Sequence, residues 1–409
     1  MKREHVKFAL AIVVSLFFGG LAIVGNASAA DTVKLGFVAD VSGIGALFYK
    51  SQKAAIDMFI EETNAKGGVL GKKLEVVVRD AQLKPDIGAK MARELVLSEK
   101  CDFLIGPTSS AVALAVTKVA QELKKIVYFH TSNSEALTTK DYQPYMFQVV
   151  PNTCIEGRGM ALVMAKKPQK RYAYIGPDYA YGHDQWNSFK AKLAQLKPDA
   201  EILETVWVKV GETNYSPYIP QLMAKKPDIM FSSLWGGGLS TFIKQATPYG
   251  MFKTVFFSSL FDTDMLKATG MDMPEGLVGY ARAPFYGIDT PQMKEFNKKY
   301  FEKYKEWPSD WAIMAYDGLI ALTEAIKKAN SIDSEQVVKV LGGLKFKCLR
   351  GDRYLRDIDH MANVGIYVGT SGKDPQYKEF LVLKDVKEVP AEEVWFTEEE
   401  VKKLQGEKK

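Results

Sequence analysis

Three short apolar runs in this chain are each followed by residues that carry small hydroxyl or amide groups. In an open parallel sheet, ligands bind at the carboxyl ends of the strands. Hydroxyls together with the free N–H groups of helix N-termini suit a carboxylate. Helix capping is the alternative for any single Ser or Thr. Three such ends on one sheet edge, however, also indicate a binding site. Its candidate residues are Ser42, Ser109, Ser110, Ser132 and Asn133.

Aromatic residues and glycines follow further apolar runs, mostly in the second half of the chain. Aromatic walls with a few polar groups are typical of a small-molecule pocket. A single Tyr or Trp is more often packed in a core, but three glycines directly after a Trp permit close backbone approach to a ligand. The candidates of this second group are Phe48, Tyr181, Trp235, Gly236 and Asp262.

Patterns that would indicate catalysis, a metal or a cofactor are missing from the sequence. The four histidines have no metal-type spacing, and neither a G-x-S-x-G elbow nor a P-loop is present. Asp262 and Asp264 are interpreted more simply as loop acids than as metal ligands. Gly43 and Gly45 open a dinucleotide-like loop, but Phe48 stands where its third glycine belongs. We therefore expect no enzyme activity, no metal and no cofactor.

The elements that position these residues alternate between short apolar runs and amphipathic helical patterns. The runs at 33–39, 74–79, 103–105 and 126–129 predict parallel strands joined by helical crossovers. The same alternation starts again after Pro151, so the fold class is α/β, with two doubly wound units in series. Beyond them the sequence predicts helices at 292–305, 311–328 and 334–341, short strands and turns at 344–383, and a frayed helix in the tail.

The N-terminus has the layout of a secretory signal peptide. Basic residues precede an apolar run at 8–24, and an Ala-Ser-Ala pattern predicts cleavage near Ala29 and Ala30. An uncleaved membrane anchor is the alternative, although the run is at the short limit for a span. The net charge of +5 is spread evenly, without a basic stripe, which disfavours nucleic-acid binding. We expect an exported, periplasmic protein.

Cysteine usage leaves two readings open. Cys101, Cys154 and Cys348 form an odd set without a C-x-x-C motif. One pair could form a disulfide in an oxidising compartment, but the sequence does not select it. Buried free thiols are the other reading.

Several stretches, in order, resemble the branched-chain (leucine/isoleucine/valine-type) amino-acid-binding family of periplasmic proteins that serve ABC transporters. They cover 34–43, 64–71, 105–110, 178–182, 228–237 and 312–328. The resemblance implies the type I periplasmic binding protein fold, with two Rossmann-like lobes joined by a hinge of three crossovers. It places one lobe at 31–149 plus about 284–345, the other at 150–283 plus about 346–395, and a tail at 396–409, after a signal peptide at 1–30.

By position, the resemblance assigns roles to the candidate residues. Ser109 and Ser110 would bind a ligand carboxylate, Ser132 and Asn133 would add contacts, and Phe48, Tyr181, Trp235 and Gly236 would enclose the ligand. Asp262 is the candidate partner of a ligand ammonium. The implied role is delivery of a hydrophobic amino acid to a membrane permease by a monomer. If no acid reaches the site, an aromatic acid, a keto acid or an amide fits better. A ligand-sensing receptor and a doubly wound enzyme remain as other classes.

Overall fold

The computed structural model of the protein describes residues 32–42 and 45–406. The predicted signal peptide, together with Gly43 of the first loop, lies outside these residues. No helix in the described ranges is long and apolar enough to cross a membrane. Within the same ranges, no group of three or more His, Cys, Asp or Glu side chains is arranged to hold a metal ion.

The first lobe contains a five-stranded parallel sheet in the order β2-β1-β3-β4-β5. Its core strands are short, wholly buried and rich in aromatic and branched residues, as expected where helices cover both faces of a sheet. Since β2 and β3 lie on opposite sides of β1, the loops after β1 and β3 diverge and leave a crevice between them. The strands are β1 Thr32–Ala39, β2 Lys73–Asp80, β3 Phe103–Ile105, β4 Val127–Phe129 and β5 Met146–Gln148, with α1 Ala46–Ala65, α2 Pro85–Leu97 and α3 Ser110–Glu122 between them.

The second lobe repeats this arrangement with a four-stranded parallel sheet in the order β7-β6-β8-β9. The crevice of this sheet lies between β6 and β8, which flank the equivalent change of direction. The strands are β6 Arg171–Pro177, β7 Glu201–Val208, β8 Ile229–Ser232 and β9 Phe256–Ser258; the helices are α4 Thr153–Ala165, α5 Ala180–Leu196, α6 Tyr218–Ala224, α7 Gly236–Ala246, α8 Met251–Thr254 and α9 Thr263–Thr269.

The remaining elements complete both lobes. A three-stranded sheet in the order β10-β13-β14 and a hairpin of β11 and β12 are antiparallel. The strands are β10 Val278–Ala281, β11 Lys345–Cys348, β12 Gly351–Tyr354, β13 Ile366–Gly372 and β14 Val382–Val389; the helices are α10 Pro291–Tyr304, α11 Asp310–Ala329, α12 Ser334–Val337 and α13 Glu398–Gly406. Short 3₁₀ segments lie at Glu135–Thr138, Thr247–Tyr249, Gly270–Asp272, Val338–Val340 and Ala391–Glu393.

These elements confirm the α/β class and the two doubly wound units predicted from the sequence. One predicted helix differs, because the run at 334–341 is α12 followed by a 3₁₀ turn at Val338–Val340. Asp333 caps α12, its side chain accepting the N–H of Gln336. The tail forms α13 as expected. Strand β11 packs against α11, and α11 in turn packs against α1 of the first lobe, so β11 lies close to that lobe. The boundaries of the two lobes along the chain remain a prediction.

Two buried carboxylates of α11 hold the connections between the lobes. Asp317 pairs with Arg350 at 2.7 Å, and the same guanidinium donates to the carbonyl of Val149 just after β5. Asp310 accepts the backbone N–H groups of Arg282 and Ala283, which follow β10, at 3.0 and 2.8 Å. One helix of the first lobe therefore fixes the backbone of two crossovers.

All three cysteines are free, and all are buried in separate parts of the molecule. Cys101 lies against the first sheet, Cys154 packs beside α13, and Cys348 lies under α11. Burial raises the pKa of the Cys101 thiol to about 11 and that of Cys154 well above its ordinary value. The reading as buried thiols is therefore the one that the structure supports.

A half-buried carboxylate, Glu135, lies where the 3₁₀ turn after β4 meets α5 of the second lobe. It accepts hydrogen bonds from Ser188 at 2.8 Å and from Thr153 at 3.2 Å. Burial, together with the nearby charge of Asp184, raises the pKa of Glu135 from its ordinary 4.5 to about 7. The native state thus holds a proton here that the unfolded chain releases at lower pH.

Stability is expected to fall as the pH rises from about 4.5 to about 7, by about 3 kcal/mol from this group. The unfolded state binds fewer protons than the native state in this window, so unfolding becomes easier with rising pH. Glu135→Gln should remove this part of the fall, as measured by urea unfolding at pH 5, 6 and 8. The exposed Glu302→Gln serves as control, and equal pH profiles for wild type and Glu135→Gln would contradict the assignment.

Candidate ligand-binding cleft

A cavity of about 240 Å³ lies between the two lobes, at the carboxyl ends of both parallel sheets. Residues that follow β3 and β4 line one side, and residues that follow β6, β7, β8 and β9 line the other. The lining residues are Phe48, Leu83, Thr108, Ser109, Ser110, Ala111, Thr131, Asn133, Tyr179, Tyr181, Val210, Trp235, Leu260, Arg282 and Trp311.

Asp40, directly after β1, shapes the first-lobe side of the cavity. Its carboxylate accepts the backbone N–H groups of Thr108 at 2.9 Å and Ser109 at 3.2 Å, and that of Leu83 at 3.0 Å. The loop after β3 is therefore held so that α3 begins at Ser110. The first N–H groups of a helix have no acceptor within the helix, so those of the first turn of α3 remain available at the cavity.

Two threonine hydroxyls at this end share one buried partner. The Nε2 group of Gln52, in α1, donates to Oγ1 of Thr131 at 2.9 Å and to Oγ1 of Thr108 at 3.4 Å. Gln52 itself is fully buried and does not line the cavity. The amide thus lies behind the cavity wall and contacts the hydroxyls that form it.

Arg282, which follows β10, brings a positive charge to the second-lobe side. Its Nε donates to the carboxylate of the buried Glu156 at 2.5 Å, and its Nη1 donates to the carbonyl of Thr131 at 3.2 Å. Burial is the largest influence on Arg282 and opposes its charge, but Glu156, Tyr181 and Tyr280 together outweigh burial and raise the guanidinium pKa above its ordinary value. Gln185 binds the other oxygen of Glu156 at 2.7 Å. Arg282 is thus a fixed cation that connects both lobes.

Aromatic rings form most of the remaining wall. Phe48 meets Trp311 edge-on, with centroids 4.9 Å apart, and lies 5.6 Å from Trp235 across the cleft. Tyr179 and Tyr181 lie 5.9 Å apart on the second-lobe side. Rings packed against one another in this way form an apolar surface, on which a planar ligand body can stack or pack edge-on.

Six of the ten predicted residues line the cavity: Phe48, Ser109, Ser110, Asn133, Tyr181 and Trp235. Ser109 stands at the N-cap position of α3 but makes no capping hydrogen bond with its side chain. The alternative of plain helix capping therefore does not account for Ser109. Its hydroxyl remains available to a ligand.

Three other predicted residues do not line the cavity, although Ser132 and Gly236 are direct neighbours of residues that do. Ser42 is exposed, beside the undescribed pair 43–44. Ser132 is buried, and its carbonyl accepts a hydrogen bond from Gln148. Gly236 has a positive φ of 53°, and a Cβ there would lie 2.9 Å from the Phe48 ring. Gly236 is therefore required for close contact between the lobes.

The structure does not bring Asp262 to the cavity. The residue is fully buried and caps α9, with Oδ1 accepting the N–H of Met265 at 3.0 Å. Burial, with the nearby acids Asp264 and Asp310, raises the pKa of Asp262 well above its ordinary value. Asp262 is therefore a helix cap and not the loop acid expected from the sequence, and it is poorly placed to pair with a ligand ammonium.

Sequence reasoning missed other lining residues, for three different reasons. Thr108, Ala111, Thr131 and Tyr179 are direct neighbours of predicted residues, and the same strand-end argument could have included them. Arg282 and Trp311 lie at a crossover and at a helix start, where the sequence carries no strand-end signal. The rest, Leu83, Val210 and Leu260, are apolar residues of loops.

The charge in the lining of the cavity is of one sign, positive. Arg282 is the single charged residue among the described residues that line it, and no Asp or Glu lines it in that part of the chain. Hydroxyls, helix N–H groups and a guanidinium are all hydrogen-bond donors. The arrangement can therefore hold an anionic head and an aromatic body.

Comparison with known proteins agrees with this geometry. A family model described as periplasmic binding protein matches residues 32–375. Leu/Ile/Val-binding protein homolog 4 of Brucella abortus is 25% identical over 384 residues, covering 88% of each chain. A crystal structure of a periplasmic binding protein from Burkholderia mallei has a TM-score of 0.81 and 26% identity, over 91% of this chain and 98% of that one.

A further structure shares the fold and contains a ligand. It is the solute-binding protein of an ABC transporter from Rhodopseudomonas palustris in complex with 3,4-dihydroxybenzoic acid. Its TM-score is 0.80 at 24% identity, over 88% of this chain and 98% of that one. With two doubly wound lobes, a cleft at their facing strand ends and a family match over most of its length, this chain belongs to the periplasmic binding protein family, with the type I fold of its branched-chain amino-acid-binding group.

Proposed function

We propose that this protein is the extracytoplasmic solute-binding protein of an ABC uptake transporter and that its ligand is a small aromatic carboxylate. The observation that carries the ligand class is the charge of the cavity lining. Arg282 supplies a fixed positive charge, and no carboxylate lines the cavity within the described residues. The family implies a periplasmic location; cleavage of the leader near Ala29 is part of the proposal.

The same observation disfavours the amino acid expected from the resemblance. A leucine-like ligand would bring an ammonium into the cavity, and a buried ammonium without a partner is costly. Glu156 does not serve as the partner of such an ammonium, because one of its oxygens accepts from Arg282 and the other from Gln185. An aromatic acid brings no ammonium; its carboxylate can share Arg282 with Glu156, and its ring lies among Phe48, Trp235 and Trp311. A keto acid shares the carboxylate and is the second candidate.

The complex of the Rhodopseudomonas palustris protein shows that an aromatic acid occurs as the ligand of a protein with this fold. At 24% identity that protein shares the fold with this chain, and it contains 3,4-dihydroxybenzoic acid. An aromatic acid is therefore compatible with a protein of this fold. The choice for this chain rests on its own lining residues.

The proposed mechanism is ligand-stabilised closure. The first lobe contributes Ser110 and Thr131, and the second contributes Arg282 and Trp235. A ligand that contacts both sets favours the closed form over the open one. A permease would recognise the closed form. We propose a monomer that releases its ligand unchanged, without turnover.

The test is a thermal-shift screen of the mature secreted protein, followed by calorimetry. The panel contains benzoate, 4-hydroxybenzoate, 3,4-dihydroxybenzoate, benzamide and leucine. It also contains phenylpyruvate and phenylalanine, each tested separately, as a keto acid and the amino acid with the same side chain. A ligand at a hundred times its Kd stabilises the native state by about 2.7 kcal/mol, which is a shift of several degrees. We expect benzoates to shift the melting temperature and leucine and phenylalanine not to.

Other results of the screen have definite meanings. A shift with leucine or phenylalanine alone would reject the aromatic-acid proposal. A shift with phenylpyruvate but not with benzoates would select the keto acid. Chromatography of the recovered ligand tests for turnover, and a chemically altered ligand would point to an enzyme. Export is checked separately, by assaying periplasmic extracts for the protein without its leader.

A further inference from the structure

Whether the threonine hydroxyls at the cavity donate or accept a hydrogen bond on the cavity side depends on a residue behind them. A hydroxyl has one proton to donate and two lone pairs to accept. Thr131 and Thr108 each accept an N–H from Gln52. In the part of the chain that the structure describes, neither hydroxyl donates to another residue. Both protons are therefore still available to a ligand in the cavity.

We propose that Gln52 is a specificity-determining residue that makes both threonine hydroxyls donors toward the ligand and so selects a head group that only accepts hydrogen bonds. The inference rests on the proposed function and deepens it. Gln52 acts through Thr108 and Thr131 and is a positioning residue, since it does not line the cavity.

The neighbouring groups reinforce this selection. The backbone N–H groups of Thr108 and Ser109 are engaged by Asp40, so they do not contribute. The first-turn N–H groups of α3 are donors, and so is Arg282. With both threonines donating as well, each of these groups offers a donor to a carboxylate and none offers an acceptor to the NH₂ of an amide ligand, so that the hydroxyls of Ser109 and Ser110 are left as its hydroxyl acceptors in the lining.

The test exchanges the amide of Gln52 for an isosteric group of opposite hydrogen-bonding character. In Gln52→Glu the carboxylate accepts from both threonines, which turns their lone pairs toward the ligand. Affinity for benzoate should fall by roughly tenfold or more, because two hydrogen bonds to a charged group are lost and because the new carboxylate repels that of the ligand. The neutral variants of the double-mutant cycle below separate the hydrogen bonds from this repulsion. Affinity for benzamide should fall less, so the ratio of the two affinities should drop.

The matched control is Gln143→Glu. Gln143 is also buried in the first lobe and donates from Nε2 to a threonine hydroxyl, that of Thr117, at 3.0 Å. Neither residue lines the cavity. This variant introduces the same buried carboxylate beside the same type of hydroxyl, and the benzoate-to-benzamide ratio should not change. A purely structural effect of the substitution would move both variants alike.

A double-mutant cycle gives a second route if Gln52→Glu does not fold. Thr131→Val and Gln52→Met each remove one side of the contact, and we expect their losses of benzoate affinity to be less than additive. Additive losses would overturn the inference. An unchanged ratio in folded Gln52→Glu would also overturn it, since the hydroxyls would then already donate to residue 52. If the wild type binds no carboxylate of the panel, the proposed function fails first and this inference falls with it.

Discussion

Arg282→Met is expected to destabilise the protein by about 3–5 kcal/mol and to abolish measurable binding of the aromatic acid. The substitution leaves Glu156 buried without its cationic partner, which is the costly way to break a buried pair. It also removes the only charge that lines the cavity within the described residues. Urea unfolding and calorimetry with benzoate measure the two effects.

The control separates these two consequences. In Arg282→Met with Glu156→Leu, both charges are gone, and much of the lost stability should return. Ligand binding should not return, because no cation faces the carboxylate. A stable double variant that binds benzoate as the wild type does would show that Arg282 has only a structural role.

Asp40→Ala is expected to cost at least about 2 kcal/mol of stability and to weaken ligand binding strongly. The carboxylate of Asp40 accepts three backbone N–H groups, and each buried donor left without a partner costs about 1–3 kcal/mol. Water from the cavity can replace part of this. The larger effect on binding follows from the loop after β3, which loses its fixed entry into α3.

Asp80→Ala is the matched control for this prediction. Asp80 also accepts backbone N–H groups, those of Val41 and Gln82, but it is only partly buried. Water should satisfy the exposed donors, so both stability and affinity should change little. Equal losses in the two variants would mean that Asp40 has no special relation to the cavity.

The strand ends that form the cleft could be predicted because they depend on local pattern. The position of a sheet edge follows from three local signals: a short apolar run, the small hydroxyl residues after it and the return of a helical period. That argument located Ser110, Asn133 and Trp235 without knowledge of the three-dimensional packing. It also extends naturally to Thr108 and Thr131, which stand in the same motifs.

What could not be predicted is which polar side chain faces the cavity and which one caps a helix. Ser109 and Asp262 both precede a helix in the sequence, yet only Asp262 bonds back to its helix. Arg282 arrives from an antiparallel strand far along the chain, and Gln52 lies in the middle of a helix, where a buried amide has no sequence signal. Long-range contacts decide these roles, and the choice of ligand depends on them.

The three buried thiols make the protein its own reporter of partial unfolding. A reagent such as a maleimide attacks the thiolate, and burial shields Cys101, Cys154 and Cys348 both sterically and by suppressing ionisation. Labelling at each position therefore waits for a local opening of the structure around it. Because the three lie against the first sheet, beside the C-terminal helix and under α11, mass spectrometry of the labelled peptides would time the loosening of three regions in one experiment, without an introduced probe.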